Sequence, residues 1–262
     1  MNIIFFGRDN SFNRAIIKFL NLDHKVIAVF WVENDRYTFK HKVKKFNKRR
    51  KKYGLLKASD EVLFHAFDRL FLRKKEGNKL KEYPEYFFQK HKLDCPEYRI
   101  EKIHNKEWLD KIRELKPDLI FNVCSNTIFK PNLYNIPKYG TLVLHEGVTP
   151  EYKGLHSNLW ALMNKDFDKV GYTLLKVNDE IDGGELVSQA VYKLKNDESY
   201  RMWGYISHKS IIENLHIMRE DLKKYEQTNE VKKNDPARKR NYYTWIGLSN
   251  FLKLYRKNYK NN

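Results

Sequence analysis

Cysteine is nearly missing from this chain: Cys95 and Cys124 are the only two among 262 residues. Two scattered thiols exclude a disulfide framework and a cysteine-built zinc site, so no metal is expected. No apolar run approaches the roughly 20 residues that cross a bilayer, and the amino terminus lacks a signal-peptide pattern. A cytoplasmic chain is the simplest expectation. The tail from about 199 to 262 has no repeats and no flexible Gly/Ser linker. The first glycine turn, "GRDNS", lacks the G-x-G-x-x-G spacing, so a nicotinamide cofactor is not inferred, although backbone amides at a helix start could hold a phosphate.

What is abundant is positive charge, with 51 Lys and Arg against 33 Asp and Glu, a formal net charge of +18. It concentrates in "KHKVKKFNKRRKK" (40–52) and between Lys232 and Lys260. Such runs are commonly solvated faces that attract anions. No recognised nucleic-acid module accompanies them, so nucleic acid is not the favoured partner; an anionic small substrate or an acidic surface is attracted equally well. Hydrophobic residues reach 41%, and 15% aromatics add bulky side chains for a core.

The order of patterns predicts an α/β fold. "MNIIFFG" is a strand-length apolar run closed by glycine, and "SFNRAIIKFL" follows with helical spacing and Ser11 as the expected N-cap. "HKVIAVFWV" reads as a second buried strand, and strand–helix–strand order implies a parallel sheet with a crossover helix. Residues 36–94 read as an insertion: a solvated basic lead-in, then a packed helix in "LLKASDEVLFHAFDRLFLRKK". "NKEWLDKIRELKP" is an amphipathic helix stopped by Pro117. "DLIFNVCS" and "IPKYGTLVLH" are further strands, "SNLWALMNKD" a helix, and "VGYTLLKVN" a strand. A loop then leads to one more strand within "DEIDGGELVSQAVYKL". These readings divide the chain into a catalytic domain over 1–198, with the insertion, and a mainly helical extension over 199–262 packed on it.

Three segments, taken in order, resemble the 10-formyltetrahydrofolate-dependent formyltransferases. "IIFFGRDNSFNRAIIKFL" is similar to that family's opening strand and helix. "LHEGVTPEYKGLHSNLWAL" resembles its Asn-x-His-Pro-Ser-Leu-Leu-Pro-x-Tyr-Arg-Gly segment, and "VGYTLLKVNDEIDGGELV" its G-x-T segment ending in D-x-G. The resemblance covers roughly residues 1–35 and 96–190. It implies a Rossmann-like formyltransferase fold, 10-formyltetrahydrofolate as co-substrate and a role in one-carbon metabolism.

The family's catalytic His and Asp fall on His145 and Asp182. Chemically the pair is apt: an amine attacking a formamide needs a proton acceptor and a stabiliser for the developing oxyanion, and a carboxylate beside an imidazole orients the ring. Asp182 alone would also read as an ordinary turn residue before two glycines. The family's asparagine, two residues before the histidine, is here Val143, which offers no hydrogen bond. Asn122 and Asn126 are the expected oxyanion partners, with Asn178 and His156 also open. The resemblance places the pterin against Thr127, Ile128 and Phe129 on one edge and the loop of Asn178, Asp179 and Glu180 on the other. Pro150, Tyr152 and Gly154 are expected to shape a turn, and Glu146 has no assigned role.

For the acceptor, a primary amine on a nucleotide-linked or otherwise activated amino sugar fits best. The tail is shorter than the tRNA-binding β-domain of methionyl-tRNA formyltransferases, and "GRDNSF" lacks the glycine-rich phosphate loop of the glycinamide ribonucleotide enzymes. Aminoacyl-tRNA formylation, formyl hydrolysis and a catalytically weakened folate- or sugar-binding homologue remain as alternatives, the last because of Val143. A homodimer is left open.

Overall fold

In the computed structural model, residues 1–33, 39–72, 92–123, 127–196, 198 and 200–259 are described. Cys124, Asn126 and the middle of the insertion, 73–91, lie outside them.

The first strand, β1 (Asn2–Gly7), is apolar on both faces because it sits mid-sheet with helices on either side. Phe5 packs toward Trp31 and Phe121, while its neighbour Phe6 packs toward Phe30 and Phe129 on the opposite face. Around β1 stand β2 (Lys25–Val32), β3 (Glu97–Ile100), β4 (Leu119–Val123) and β5 (Thr141–Glu146). The two-residue β6 (Lys153–Gly154) follows, then β7 (Gly171–Lys176) and β8 (Glu185–Val191). The main sheet runs β3-β2-β1-β4-β5-β7-β8. Its neighbours from β3 to β5 are parallel, and β7 and β8 add antiparallel pairs. Strand order reverses between β1 and β4, so a crevice opens at the carboxyl ends of those strands.

Helix α1 (Ser11–Leu20) crosses from β1 to β2. Its N-cap is Asn10, not Ser11: the Asn10 side chain accepts from the Asn13 amide at 2.8 Å, and Ser11 is already helical. The basic stretch is not a bare lead-in but a helix, α2 (Phe39–Tyr53), followed by α3 (Leu55–Phe67) and a π-turn at Asp68–Leu72. Next come α4 (Lys106–Glu114), the short α5 (Pro131–Tyr134) and α6 (Ser157–Met163).

The tail supplies α7 (Trp203–Ile212), α8 (Leu215–Thr228) and α9 (Leu248–Tyr259). It is not helical throughout: β9 (Tyr242–Tyr243) pairs in parallel with β6, and Lys232 bridges to Leu186 of β8. Local periodicity gives no warning of β9, because two residues paired to a distant segment carry no repeat of their own.

The core has three parts. One sheet face packs Ile16, Ile17 and Leu20 of α1 with Met218, Leu222 and Tyr225 of α8. The other face packs Leu109 and Ile112 of α4 with Leu133 and Phe129. A third cluster joins Phe64 of the insertion, Leu159 and Leu162 of α6, and Ile246 and Phe251 of the tail. The insertion and the tail therefore meet each other directly beside the loop that follows β5.

Candidate active site

His145, the next-to-last residue of β5, is buried. Its Nε2 lies 2.9 Å from the Tyr152 carbonyl oxygen and 3.2 Å from Ser157 Oγ. A carbonyl only accepts, so Nε2 is assigned the hydrogen and donates to it. In the neutral ring Nδ1 is then the nitrogen with the free lone pair, and it faces Asp182, 3.7 Å from Oδ1. That gap is beyond a hydrogen bond, yet close enough for the carboxylate to stabilise an imidazolium.

Asp182 occupies the left-handed region at φ +50°, which a short polar side chain tolerates. Its Oδ2 accepts from the Gly154 amide at 3.0 Å. Two residues on, a Cβ at Gly184 would strike the Lys176 carbonyl, so the close return of the chain to β7 requires glycine there. The loop is held at a second point by Lys153, whose Nζ donates to Glu180 Oε1 at 2.5 Å. Both clamps come from β6. Burial works against the Glu180 charge less than the Lys153 hydrogen bond favours it, and the carboxyl is held below its ordinary range.

Beside this pair opens a cavity of about 260 Å³. Thr127, Ile128 and Phe129 line one wall, and Asn178, Asp179, Glu180, Ile181 and Asp182 line the facing one. Asn122 and Val143 form its floor. The walls are themselves braced: His104 Nε2 lies 2.9 Å from the Ile128 carbonyl, Tyr134 donates to Asp179 at 2.7 Å, and Asn178 Oδ1 accepts from the Glu180 amide at 2.9 Å. Apolar side chains with a few fixed polar groups suit a flat heteroaromatic ligand.

Asn122 is the informative floor residue. It pairs in register with Val143 across β4 and β5, so the two side chains rise from the same sheet face about 4.8 Å apart. Asn122 is buried, and its Oδ1 has no hydrogen-bond partner among the described residues. A cavity-lining amide with an unpaired oxygen is a candidate contact for a ligand. Its O and N are interchangeable by a flip, so it can present N–H to an oxyanion. The structure thus brings His145, Asp182, Asn122, Thr127, Ile128, Phe129, Asn178, Asp179 and Glu180 to one place. Asn126 lies outside the described residues, and His156 packs instead among Trp203 and Trp245. The Cys95 thiol stands elsewhere and is no nucleophile, since burial, with Glu97 and Asp94 behind it, pushes it up to about 11.

Sequence reasoning missed the supporting contacts from Tyr152, Lys153, Ser157, His104 and Tyr134. Only the Tyr-Lys-Gly run could have hinted at them, because the rest act through backbone groups or distant loops.

Comparisons with known proteins agree with the layout. The sequence profile of the family described as Formyl transferase matches residues 1–204. A bifunctional polymyxin resistance protein ArnA of Wigglesworthia glossinidia brevipalpis is 31% identical over 134 residues, 51% of this chain and 18% of that protein. A methionyl-tRNA formyltransferase of Clostridioides difficile is 31% identical over 94 residues, 36% of this chain and 30% of that one. The matches therefore span about a third or less of these relatives' length. Among solved structures, a sugar N-formyltransferase from Shewanella sp. superposes with a TM-score of 0.54 at 12% identity, covering 93% of this chain and 76% of that one. A glycinamide ribonucleotide transformylase from Symbiobacterium toebii gives 0.54 at 12% identity, covering 90% and 94%. At such identities these superpositions speak for the fold.

Proposed function

This chain belongs to the formyl transferase family, and from that premise we propose that it moves a formyl group from 10-formyltetrahydrofolate to a primary amine on an anionic, nucleotide-linked amino sugar. The observation that carries the reading is one cavity lined by the Thr127–Phe129 segment, the Asn178–Asp182 loop and Asn122, with His145 Nδ1 3.7 Å from Asp182 on its wall.

The donor supplies an activated formamide: the amine nitrogen forms a bond to the formyl carbon, the bond to N10 breaks, and one proton passes from the amine to N10. The Thr127–Phe129 and Asn178–Glu180 walls hold the pterin, offering backbone groups to its polar edge and Ile128, Phe129 and Ile181 to its faces. His145 Nδ1 takes the proton from the attacking amine, since Nε2 is committed to Tyr152. Asp182 steadies the imidazolium that results and is itself kept in place by the Gly154 amide. Asn122 donates to the developing oxyanion, the role for which the family's asparagine position, Val143, has no group. The acceptor class draws support from the +18 charge and from the sugar N-formyltransferase of like fold.

Calorimetry with 5-formyltetrahydrofolate, a non-reactive mimic, tests the reading. Saturable binding is expected, weakened by Asp179→Ala and Glu180→Ala together. No binding at millimolar mimic would remove the cofactor assignment.

A further inference from the structure

The insertion sorts its charges by side. Residues 39–72 hold eleven Lys and Arg against three Asp and Glu, and all three acids are engaged by the protein. Glu61 is buried and pairs with Arg49 at 2.7 Å, and Asp68 is buried and accepts from Trp203 Nε1 at 3.3 Å. Asp60 accepts from the amide and the hydroxyl of Ser249 at 2.8 and 2.6 Å. The cations do the opposite. The α2 sequence contains no acidic residue, and its Lys44, Lys48, Arg50 and Lys51 are exposed, with no ion pair among the described residues.

Beside α2, the helix α3 is apolar on both sides. Its inner side buries Ala58 and Phe64, and Phe64 meets Phe251 of α9 with ring centres 5.3 Å apart. At about 3.6 residues per turn, Leu55, Leu56, Val62 and Leu63 fall on the opposite side. They are exposed there, and Leu70 and Phe71 of the π-turn continue the strip. Leu56, Leu63 and Leu70 recur at heptad spacing and are 88%, 55% and 67% exposed. A helix apolar all round is at home only where both sides are covered. The tail covers one side, and the other is a contiguous apolar strip facing water.

The occupant of that strip must also accept the cations beside it. A second copy seated on the same face would bring two α2 helices toward one another, and their like charges oppose the pairing. A nucleic acid would take the lysines and leave the leucines wet. An anionic bilayer surface satisfies both: its headgroups neutralise the cations, and the boundary of its acyl region takes the apolar side chains. We propose that α2 and α3 dock this chain on an anionic phospholipid surface. Leu55, Leu56, Val62, Leu63 and Leu70 enter the acyl boundary, while Lys44, Lys48 and Lys51 meet headgroup phosphates. The helices lie on the bilayer and do not cross it, in keeping with their length. This docking is independent of the formyl-transfer reading, because none of its residues lines the active-site cavity.

The test is flotation with vesicles of phosphatidylcholine alone, or with about 30% phosphatidylglycerol, at low salt and at about 0.15 M. Two variants accompany the natural chain: Leu56→Ser/Leu63→Ser/Leu70→Ser and Lys44→Gln/Lys48→Gln/Lys51→Gln. All six positions are exposed, and thermal melts matching the natural chain certify the fold. The natural chain should bind the anionic vesicles, bind them more weakly at the higher salt, and leave phosphatidylcholine alone. Each variant should weaken binding about tenfold or more, since one cation near such a surface is worth about fivefold and a buried leucine at least as much. No flotation with anionic vesicles at low salt would overturn the docking. So would a loss confined to the lysine variant, which would leave only the general field of a +18 chain. A loss confined to the leucine variant, or in neither, would overturn it equally. A dimer in ultracentrifugation that the leucine variant dissociates, with no vesicle binding, would assign the strip to a second copy instead. An RNA oligomer held through the lysines where vesicles are not would likewise end the proposal.

Discussion

Val143 and Asn122 face the same cavity from adjacent strands, and the chemistry at residue scale turns on that neighbourhood. An oxyanion donor acts in the transition state, so its loss appears in kcat more than in cofactor affinity. Asn122→Ala should therefore lower kcat by about 10²- to 10³-fold with little change in 5-formyltetrahydrofolate binding. Val143→Asn should change the rate by less than about tenfold, because the role is already filled. A gain near 10² from Val143→Asn would mean that Asn122 is idle and the chain a weakened relative. The His145–Asp182 pair acts as a unit, so His145→Ala and Asp182→Asn should each remove most activity, and the double variant should lose little more than either single one. Steady-state rates of all three variants check this, and full activity in either single variant would take the pair out of the mechanism.

At element scale, β6 and β9 make a sheet of only two short strands, yet it holds the loop that carries Asp182. Lys153 donates its amide to the Asn241 carbonyl at 3.1 Å, and Leu155 to Tyr243 at 3.0 Å. Arg238 braces the same turn through Glu151, at 2.8 and 2.6 Å, and through the Thr149 carbonyl at 3.0 Å. β6 in turn presents the Gly154 amide to Asp182 and Lys153 to Glu180. Gly154 has φ +96°, and a Cβ there would strike the Tyr243 carbonyl. Gly154→Ala should therefore force β6 and β9 apart. The expected result is a lower melting temperature and a loss of about tenfold or more in kcat/KM, the scale of a misplaced positioning group. Tyr243→Phe keeps the backbone and the ring stack on Tyr152, and should leave both quantities near the natural values. Steady-state kinetics and thermal melts of the two variants decide the point.

For the whole molecule, buried charge governs how stability responds to sequence and pH. Lys209 and Glu198 form an ion pair at 2.6 Å, with side chains only 6% and 1% exposed. Burial disfavours the Lys209 ammonium, but hydrogen bonds to Glu198 and Tyr192 overcome it and hold the group above the usual lysine range. Removing Glu198 leaves the Lys209 ammonium with only the longer contact to Glu213 at 3.7 Å, so Glu198→Gln should cost up to about 3–5 kcal/mol in chemical denaturation. His24 and His208 behave oppositely. Burial lowers both, against the opposing pull of Glu226 on His24 and of Glu146 on His208. Their folded-state values lie below the ordinary 6.5, so between the two the unfolded chain binds more protons. Stability is then complete above about pH 6.5 and falls as the pH drops below it. A melting temperature that declines from pH 7 to pH 5 is the expected outcome, and a His24→Gln variant should show a shallower decline. A flat profile in the natural chain would show that neither histidine couples to folding. Among the described residues no helix is long and apolar enough to cross a membrane.

The sequence by itself determined most of the main elements and nominated the residues of the candidate site. β1 and β2 are apolar on both faces and could only be central strands, α1 and α4 carry helical spacing, and the His145 and Asp182 segments stand at recognisable separations. These signals are local: each is written in the periodicity or spacing of a single stretch. Tertiary structure alone decided the pairings. Nothing within residues 119–123 or 141–146 says that Asn122 stands beside Val143, because register depends on how two strands some twenty residues apart are laid together. The antiparallel setting of β7 and β8 and the strand at Tyr242–Tyr243 are equally invisible along the chain. Each joins groups far apart in sequence whose contact is fixed by packing, and packing is a property of the folded whole.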